Sequence, residues 1–332
     1  MSAEQKVQKT KANGITEGSI FGQLLLFFFP ILFGTFFQQL YNTADAVVVG
    51  RFVGKQALAA VGGTTSTLIN LMVGFFVGLS SGATVVISQY YGAKKADKVH
   101  WAVHTSVAFS VIGGVLFMAV GLVGARWALT AMHTPEDVMD HAVTYIRIYF
   151  LGMVPNLLYN MGAGILRAVG DSRRPLYFLI GSSISNILLD IIFVVWLKMG
   201  VAGVAWATFA AQGAASVLAF LTLVHRIKQL RSTEPYAKFS AEMLVQVTIV
   251  AIPSILQQCF VSVGNLFVQS AVNSYGSAVV AGFSACQKLN TFAVTCMTTL
   301  SNGVSSFTAQ NLGADKKERI SEGFRAGTLL GI

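Results

Sequence analysis

Charge is what this sequence has least of. Only 11% of its 332 residues are Asp, Glu, Lys or Arg, where a soluble domain carries roughly 25%. With 54% apolar residues and a mean hydropathy of +0.64, the chain is suited to a lipid bilayer rather than to water. Cysteine is scarce too. Cys259, Cys286 and Cys296 lie inside apolar stretches without metal-ligand spacing, which excludes a disulfide framework and a zinc site. The five histidines fall near the ends of apolar runs and lack partners at metal-binding intervals. No Walker loop, H-E-x-x-H or G-x-S-x-G pattern is present, and no acid, His or Cys cluster marks an enzyme. The net charge of +9 does not point to nucleic acid, because the basic residues sit in short loops between apolar runs.

What is abundant is apolar sequence in long runs. Windows of about 20 residues place spans near 20–48, 56–88, 99–125, 137–166, 174–197, 201–226, 242–272 and 278–309, with a ninth beginning near 320. The expected fold class is an all-α polytopic membrane protein. The first 19 residues are polar and precede an apolar run too long for a signal peptide, so they read as a cytoplasmic tail. With the N-terminus inside, sixteen Lys and Arg lie in cytoplasmic segments, Arg167, Arg173 and Arg174 among them, and four lie outside. That asymmetry sets the orientation. The polar linker 228–241 follows the sixth span and divides the chain into a six-helix lobe over 20–227 and a second lobe over 242–332.

The two halves repeat each other. "LSSGATVVISQYYGAKK" at 79–95 aligns with "LSNGVSSFTAQNLGADK" at 300–316, an offset of 221, pairing Gln89 with Gln310 and Gly92 with Gly313. Pro30 and Asn42 align with Pro253 and Asn265 at an offset of 223. Six spans per copy give both copies the same orientation, a parallel repeat about an axis along the membrane normal. Two full copies need roughly 440 residues, so the expectation is a twelve-span protein of which this chain holds about nine, stopping within the ninth.

Against this background Asp190 stands out. It lies in "SNILLDIIFVVW", where a carboxylate costs about 2.5–3.5 kcal/mol to insert at the centre of a span. Asn186 is four residues earlier and shares its helix face. Asp45 is the other acid placed well inside a span, and the remaining twelve lie in the tail, in loops or near span ends. Two neighbouring carboxylates in one low-dielectric lobe titrate as a pair and hold one proton or one monovalent cation. Asn186 and Thr208 add neutral oxygens that complete a Na+ shell or orient a protonated acid. The alternative is that Asp190 hydrogen-bonds a neighbouring helix as polar glue.

Other features are less specific. Lys288 either lines the second lobe or snorkels, and Arg147, nearer a helix end, is expected to snorkel. Gly74, Gly78 and Gly82, spaced by four, form a face for close helix packing. Gln38, Gln39, Tyr41, Gln257 and Gln258 follow the two equivalent prolines and are candidates to meet a substrate.

Four stretches resemble the multidrug and toxic compound extrusion (MATE) family: "PILFGTFFQQLYNTADAVVVGRFVGKQALAAVG" at 30–62, "SQYYGAKKADK" at 88–98, "ILRAVGDSRRPLY" at 165–177 and "NILLDIIFVVWLKMGVAGVAWATFAAQ" at 186–212. The resemblance implies a two-lobe bundle of 6+6 helices in a V shape, with a central cleft through which amphipathic, mainly cationic, drugs leave in exchange for H+ or Na+. It implies a cation site on Asp45, Asn186, Asp190 and Thr208, a bendable first helix at Pro30 with Pro253 as its counterpart, and no cofactor beyond the coupling ion. The expected setting is a bacterial inner membrane, with the protein acting as a monomer. No acid follows Pro253 in "SILQQCFVSV", which points to the DinF-like branch and away from a cation site in the second lobe. The rival reading is a flippase of lipid-linked precursors from the related superfamily, expected to present several Arg or Lys to the cleft. A channel, which would conduct without coupling to a gradient, is the third.

Overall fold

Long apolar runs, few interrupted by Pro or Gly clusters, fold as long helices because the backbone must satisfy its own hydrogen bonds in lipid. A computed structural model describes residues 15–62, 64–132, 134–230, 239–273 and 277–331, with the side chains of Thr64 and of several positions between 266 and 292 outside that set. The helices are α1 (Ile20–Phe52), α2 (Lys55–Gly62), α3 (Thr64–Gly92), α4 (Ala96–Ala131), α5 (Glu136–Leu151), α6 (Met153–Ala168), α7 (Arg173–Asp190), α8 (Gly200–Lys228), α9 (Ala241–Asn273), α10 (Ser277–Gly313) and α11 (Lys317–Gly331). Among the described residues there is no strand. Among the described residues, six stretches are long and apolar enough to cross a membrane: Ile20–Phe52, Lys55–Gly92, Ala96–Ala131, Arg173–Trp196, Gly200–Lys228 and Ala241–Asn265. The protein is an all-α polytopic membrane protein.

The helices depart from the expected spans in two places. The span expected over 56–88 is helical on both sides of residue 63, which lies outside the described residues, and α3 runs on to Gly92. The span expected over 137–166 is two helices, α5 and α6, of 16 residues each, meeting at Gly152. Pro155 explains this break: it has no N–H to give to the Leu151 carbonyl, so the i→i−4 ladder lapses there. The second departure follows Asp190 directly. Ile191–Trp196 is a π-helical turn, with the Leu197 N–H donating to the Ile192 carbonyl. Single π turns inside α-helices are common at functional sites. Both α1 and α9 run through their prolines, Pro30 and Pro253, without ending.

The glycine stripe packs as its spacing predicted. On α3, Gly78 lies against the backbone of Ile255 on α9, where a Cβ would come within 2.9 Å of the Ile255 Cα, and Gly82 lies against Ala251 in the same way. Small residues here let α3 and α9 approach backbone to backbone. The buried cluster of Leu79, Val86, Ile165, Leu223 and Val247 continues this contact toward α6 and α8.

The repeat is visible in the backbone. Lys94 and Asp315, equivalent at the offset of 221, both adopt left-handed φ, 58° and 55°. Each ends its helix with matching bonds: Lys95 N–H to Tyr90 O and Lys94 N–H to Tyr91 O in one copy, Lys316 N–H to Asn311 O and Asp315 N–H to Leu312 O in the other. These are Schellman caps, which satisfy the last carbonyls of a helix. The two capped ends, of α3 and α10, cross at Gly92 and Gly313.

The last residues of the expected tail do not hang free. Ile15 buries beside Leu24 and Phe307. Its N–H donates to Gln310 Oε1 (3.3 Å), the Asn311 amide donates to its carbonyl (3.4 Å), and Lys316 Nζ donates to the Thr16 carbonyl (2.9 Å). One apolar residue at the end of a polar tail is enough to dock it. Residues 1–14 of the tail and 231–238 of the linker lie outside the described residues.

Candidate functional site

Asp45 and Asp190 come from helices distant in sequence and meet. Both are buried, at 5% and 0% exposure, so neither charge is solvated by bulk water. The Asp45 carboxyl lies beside that of Asp190 and near the Thr208 hydroxyl. Asn186, one turn before Asp190 on α7, donates its amide to Thr208 Oγ1 on α8 at 3.3 Å. The structure therefore brings together the four residues Asp45, Asn186, Asp190 and Thr208 that the sequence singled out. Tyr145 on α5 closes the group from the side and stacks at 6.4 Å on Tyr149.

The hydrogen-bond tally in this group does not balance. Asp45 Oδ1, Asn186 Oδ1 and both Asp190 oxygens are buried and receive no donor from any described residue. Buried acceptors are nearly always paired, and unpaired buried charge is costly. Oxygen atoms of two carboxylates and one amide, gathered without donors, suit a proton shared between the acids or a small monovalent cation. They do not suit a soft transition metal, which favours Cys and His. No group of three or more His, Cys, Asp or Glu is found among the described residues.

Asp45 also lines a cavity of about 750 Å³ that extends along α1 from Pro30. Fifteen residues separate these two, which is about 22 Å of helix. Gln38, Gln39 and Tyr41 line the same cavity, as do Gln258 and Asn265 of α9. Gln257 does not: it is exposed on the other side of α9, since adjacent helical residues point about 100° apart. The side chain of Lys288 lies outside the described residues.

A polar relay on the cavity wall went unseen in the sequence. Asn160 donates to Asn156 Oδ1 (2.7 Å), Asn156 to Gln212 Oε1 (3.0 Å), and Gln212 to the Tyr41 hydroxyl (3.4 Å), one turn from Asp45. Tyr149 accepts from Asn156 at 3.4 Å. The signal was available: Asn156 and Asn160 are four apart in an apolar run, as Asn186 and Asp190 are, and so are Tyr145 and Tyr149. Arg167 is the other surprise. Counted from sequence among the cytoplasmic loop residues, it lies in the last turn of α6 and lines the cavity.

The MatE family model matches this chain over residues 30–192 and again over 253–332. The two matched segments begin on Pro30 and Pro253, the prolines on which the repeat was aligned. Probable multidrug resistance protein YoeA of Bacillus subtilis (strain 168) is 30% identical over 323 residues, covering 94% of this chain and 69% of that protein. YpnP of the same strain, also named a probable multidrug resistance protein, is 30% identical over 311 residues, covering 93% and 69%. Among solved structures, an outward-facing multidrug resistance MATE transporter of the MOP superfamily superposes with a TM-score of 0.86 at 25% identity, over 95% of this chain and 70% of that one. A MATE crystal structure in complex with MaD3S gives 0.86 at 26% identity, over 95% and 71%. The apolar helices, the repeat and the twice-matched model agree: this chain belongs to the MATE family of multidrug transporters.

Proposed function

We propose that the protein is a secondary antiporter that exports amphipathic, cationic organic compounds in exchange for H+ or Na+. The observation that carries this reading is the set of donorless oxygens on Asp45, Asn186 and Asp190, buried beside a cavity large enough for a drug-sized molecule. A cation between the two carboxylates neutralises a charge that the lipid-embedded lobe otherwise has to carry. Because Asp45 belongs both to the pair and to the cavity wall, one residue links ion and substrate. Asn186 and Thr208 supply the neutral oxygens, and the cavity residues Gln38, Gln39, Tyr41 and Gln258 meet the substrate. Pro30 and Pro253, each lacking one backbone donor, are the points at which α1 and α9 bend during transport.

The same reading sets 20–227 as a six-helix lobe joined through the linker 228–241 to a second lobe over 242–332. It places the protein in a bacterial inner membrane as a monomer with its N-terminus in the cytoplasm. A flippase for lipid-linked precursors needs several cationic side chains in the cleft, and among the described lining residues Arg167 is the one present.

The test is reconstitution in liposomes with an imposed H+ or Na+ gradient while an amphipathic cationic dye is followed. Gradient-driven dye movement is expected, and Asp190→Asn removes it with expression and folding intact. Full coupled movement in that variant excludes the acid pair, and conduction without any gradient coupling makes the protein a channel.

A further inference from the structure

Among the described residues, Arg167 has no counterion. The carboxylate nearest to it in sequence, Asp171, is already engaged by Arg226 at 3.2 Å and Arg174 at 3.4 Å. Among the described residues, no acid pairs with the Arg167 guanidinium and no acceptor takes a hydrogen bond from it. The titratable side chain facing it is Tyr159, whose hydroxyl donates to the Pro175 carbonyl at 3.2 Å.

Two ordinary explanations fall short. A cation in the last turn of a helix complements the helix dipole, but that does not require the side chain to face a cavity. Snorkelling carries Arg to the nearest water at the membrane surface. Arg173, six residues on, is exposed in that way, whereas Arg167 is half-buried and lines the cavity together with Asn160 and Ala163 of its own helix. A guanidinium offers five donors in a planar fork that matches the oxygens of a carboxylate, sulfonate or phosphate.

The cavity is therefore polarised along its length. Asn156, which joins the relay to Tyr41, lies eleven residues before Arg167 on the cavity side of the chain, about 16 Å along the helix. The acid pair sits beyond Tyr41, one turn further along α1. Asp45, with Asp190 buried behind it, is at one end of the cavity and the Arg167 guanidinium is at the other.

We propose that Arg167 binds an oxyanion, so that the cleft accepts amphipathic organic anions and zwitterions as well as cations. This rests on the reading of the cavity as the substrate cleft. The anionic group docks on the guanidinium at the inner end, and the apolar body lies against the wall formed by α1 and α6.

The experiment uses the purified chain in lipid nanodiscs and two probes with one apolar body and opposite charge, 2-naphthalenesulfonate and 2-naphthyltrimethylammonium, with affinities corrected for partition into empty nanodiscs. Arg167→Gln is expected to lower the ratio of sulfonate to ammonium affinity by about tenfold or more, the worth of one charge-assisted contact. Arg167→Lys is expected to restore most of that ratio, which a structural role for the planar fork would not do. Asp171→Asn, outside the cavity, is expected to leave the ratio in place. An unchanged ratio in Arg167→Gln overturns the proposal, as does equal loss of both probes. Wild-type protein that binds the ammonium and not the sulfonate overturns the oxyanion site alone. Wild-type protein that binds neither overturns the cleft reading with it.

Discussion

Gly92 touches the carbonyl of Gln310 so closely that a Cβ on it would overlap the oxygen, and its repeat counterpart Gly313 stands in the same relation to Gln89. Each copy thus sets its glycine against the glutamine of the other. Gln310 is fully buried at this crossing, where its amide donates to the Ala168 carbonyl at 2.7 Å.

Alanine at either glycine should force α3 and α10 apart. The expected cost is about 1–3 kcal/mol, typical of overpacking, and similar for Gly92→Ala and Gly313→Ala. Gly113→Ala and Gly213→Ala are the controls, since a Cβ there meets no atom within 4 Å. Thermal unfolding midpoints of the four purified variants check this, and equal midpoints would refute the crossing as a close contact.

The acid pair should behave as a unit. Asp45→Asn and Asp190→Asn are each expected to remove coupled transport, and the double variant to be no worse than either single one, because residues that hold one charge between them are not additive. Rates measured in liposomes under one gradient decide. Additive losses would mean two independent sites.

Thr208→Val removes the acceptor of the Asn186 amide and leaves a buried donor unpaired. The expected destabilisation is about 1–3 kcal/mol. Asn186→Leu together with Thr208→Val should recover part of it, since neither partner is then left polar. Unfolding midpoints read this directly, and a double variant no more stable than Thr208→Val alone would contradict it.

Asp171→Asn breaks two partly exposed ion pairs and weakens the contact from the Arg174 N–H to Asp171 Oδ1. Surface pairs are worth about 0–1 kcal/mol each, so the midpoint should fall only slightly, and less at high salt than at low.

Hydropathy made the helices legible, and the reason is physical: in lipid an apolar run has few folds to choose from. The break at Gly152 was lost because a 20-residue window averages over one residue, although Pro155 marked it. Asp45, Asn186, Asp190 and Thr208 could be found because polarity inside an apolar run is expensive, and the family resemblance joined them into one group. Asn156 and Asn160 obey the same rule and escaped only because an amide is cheaper to bury than a charge. Gln257 and Gln258 show a harder limit. They are chemically identical neighbours, and only the rotation of α9 decides which one faces the cavity. Arg167 was misplaced by a single turn: with the apolar run taken to end at 166, the next residue was assigned to water.

The left-handed caps at Lys94 and Asp315 have one more implication. Where they meet, residue i of one copy touches residue j of the other, and residue j touches i in return. That is the geometry of an isologous interface, the kind by which two identical subunits associate about a twofold axis. The crossing needs no feature that a single copy did not already possess. In its contact logic, this chain is a homodimer with the two protomers written in tandem.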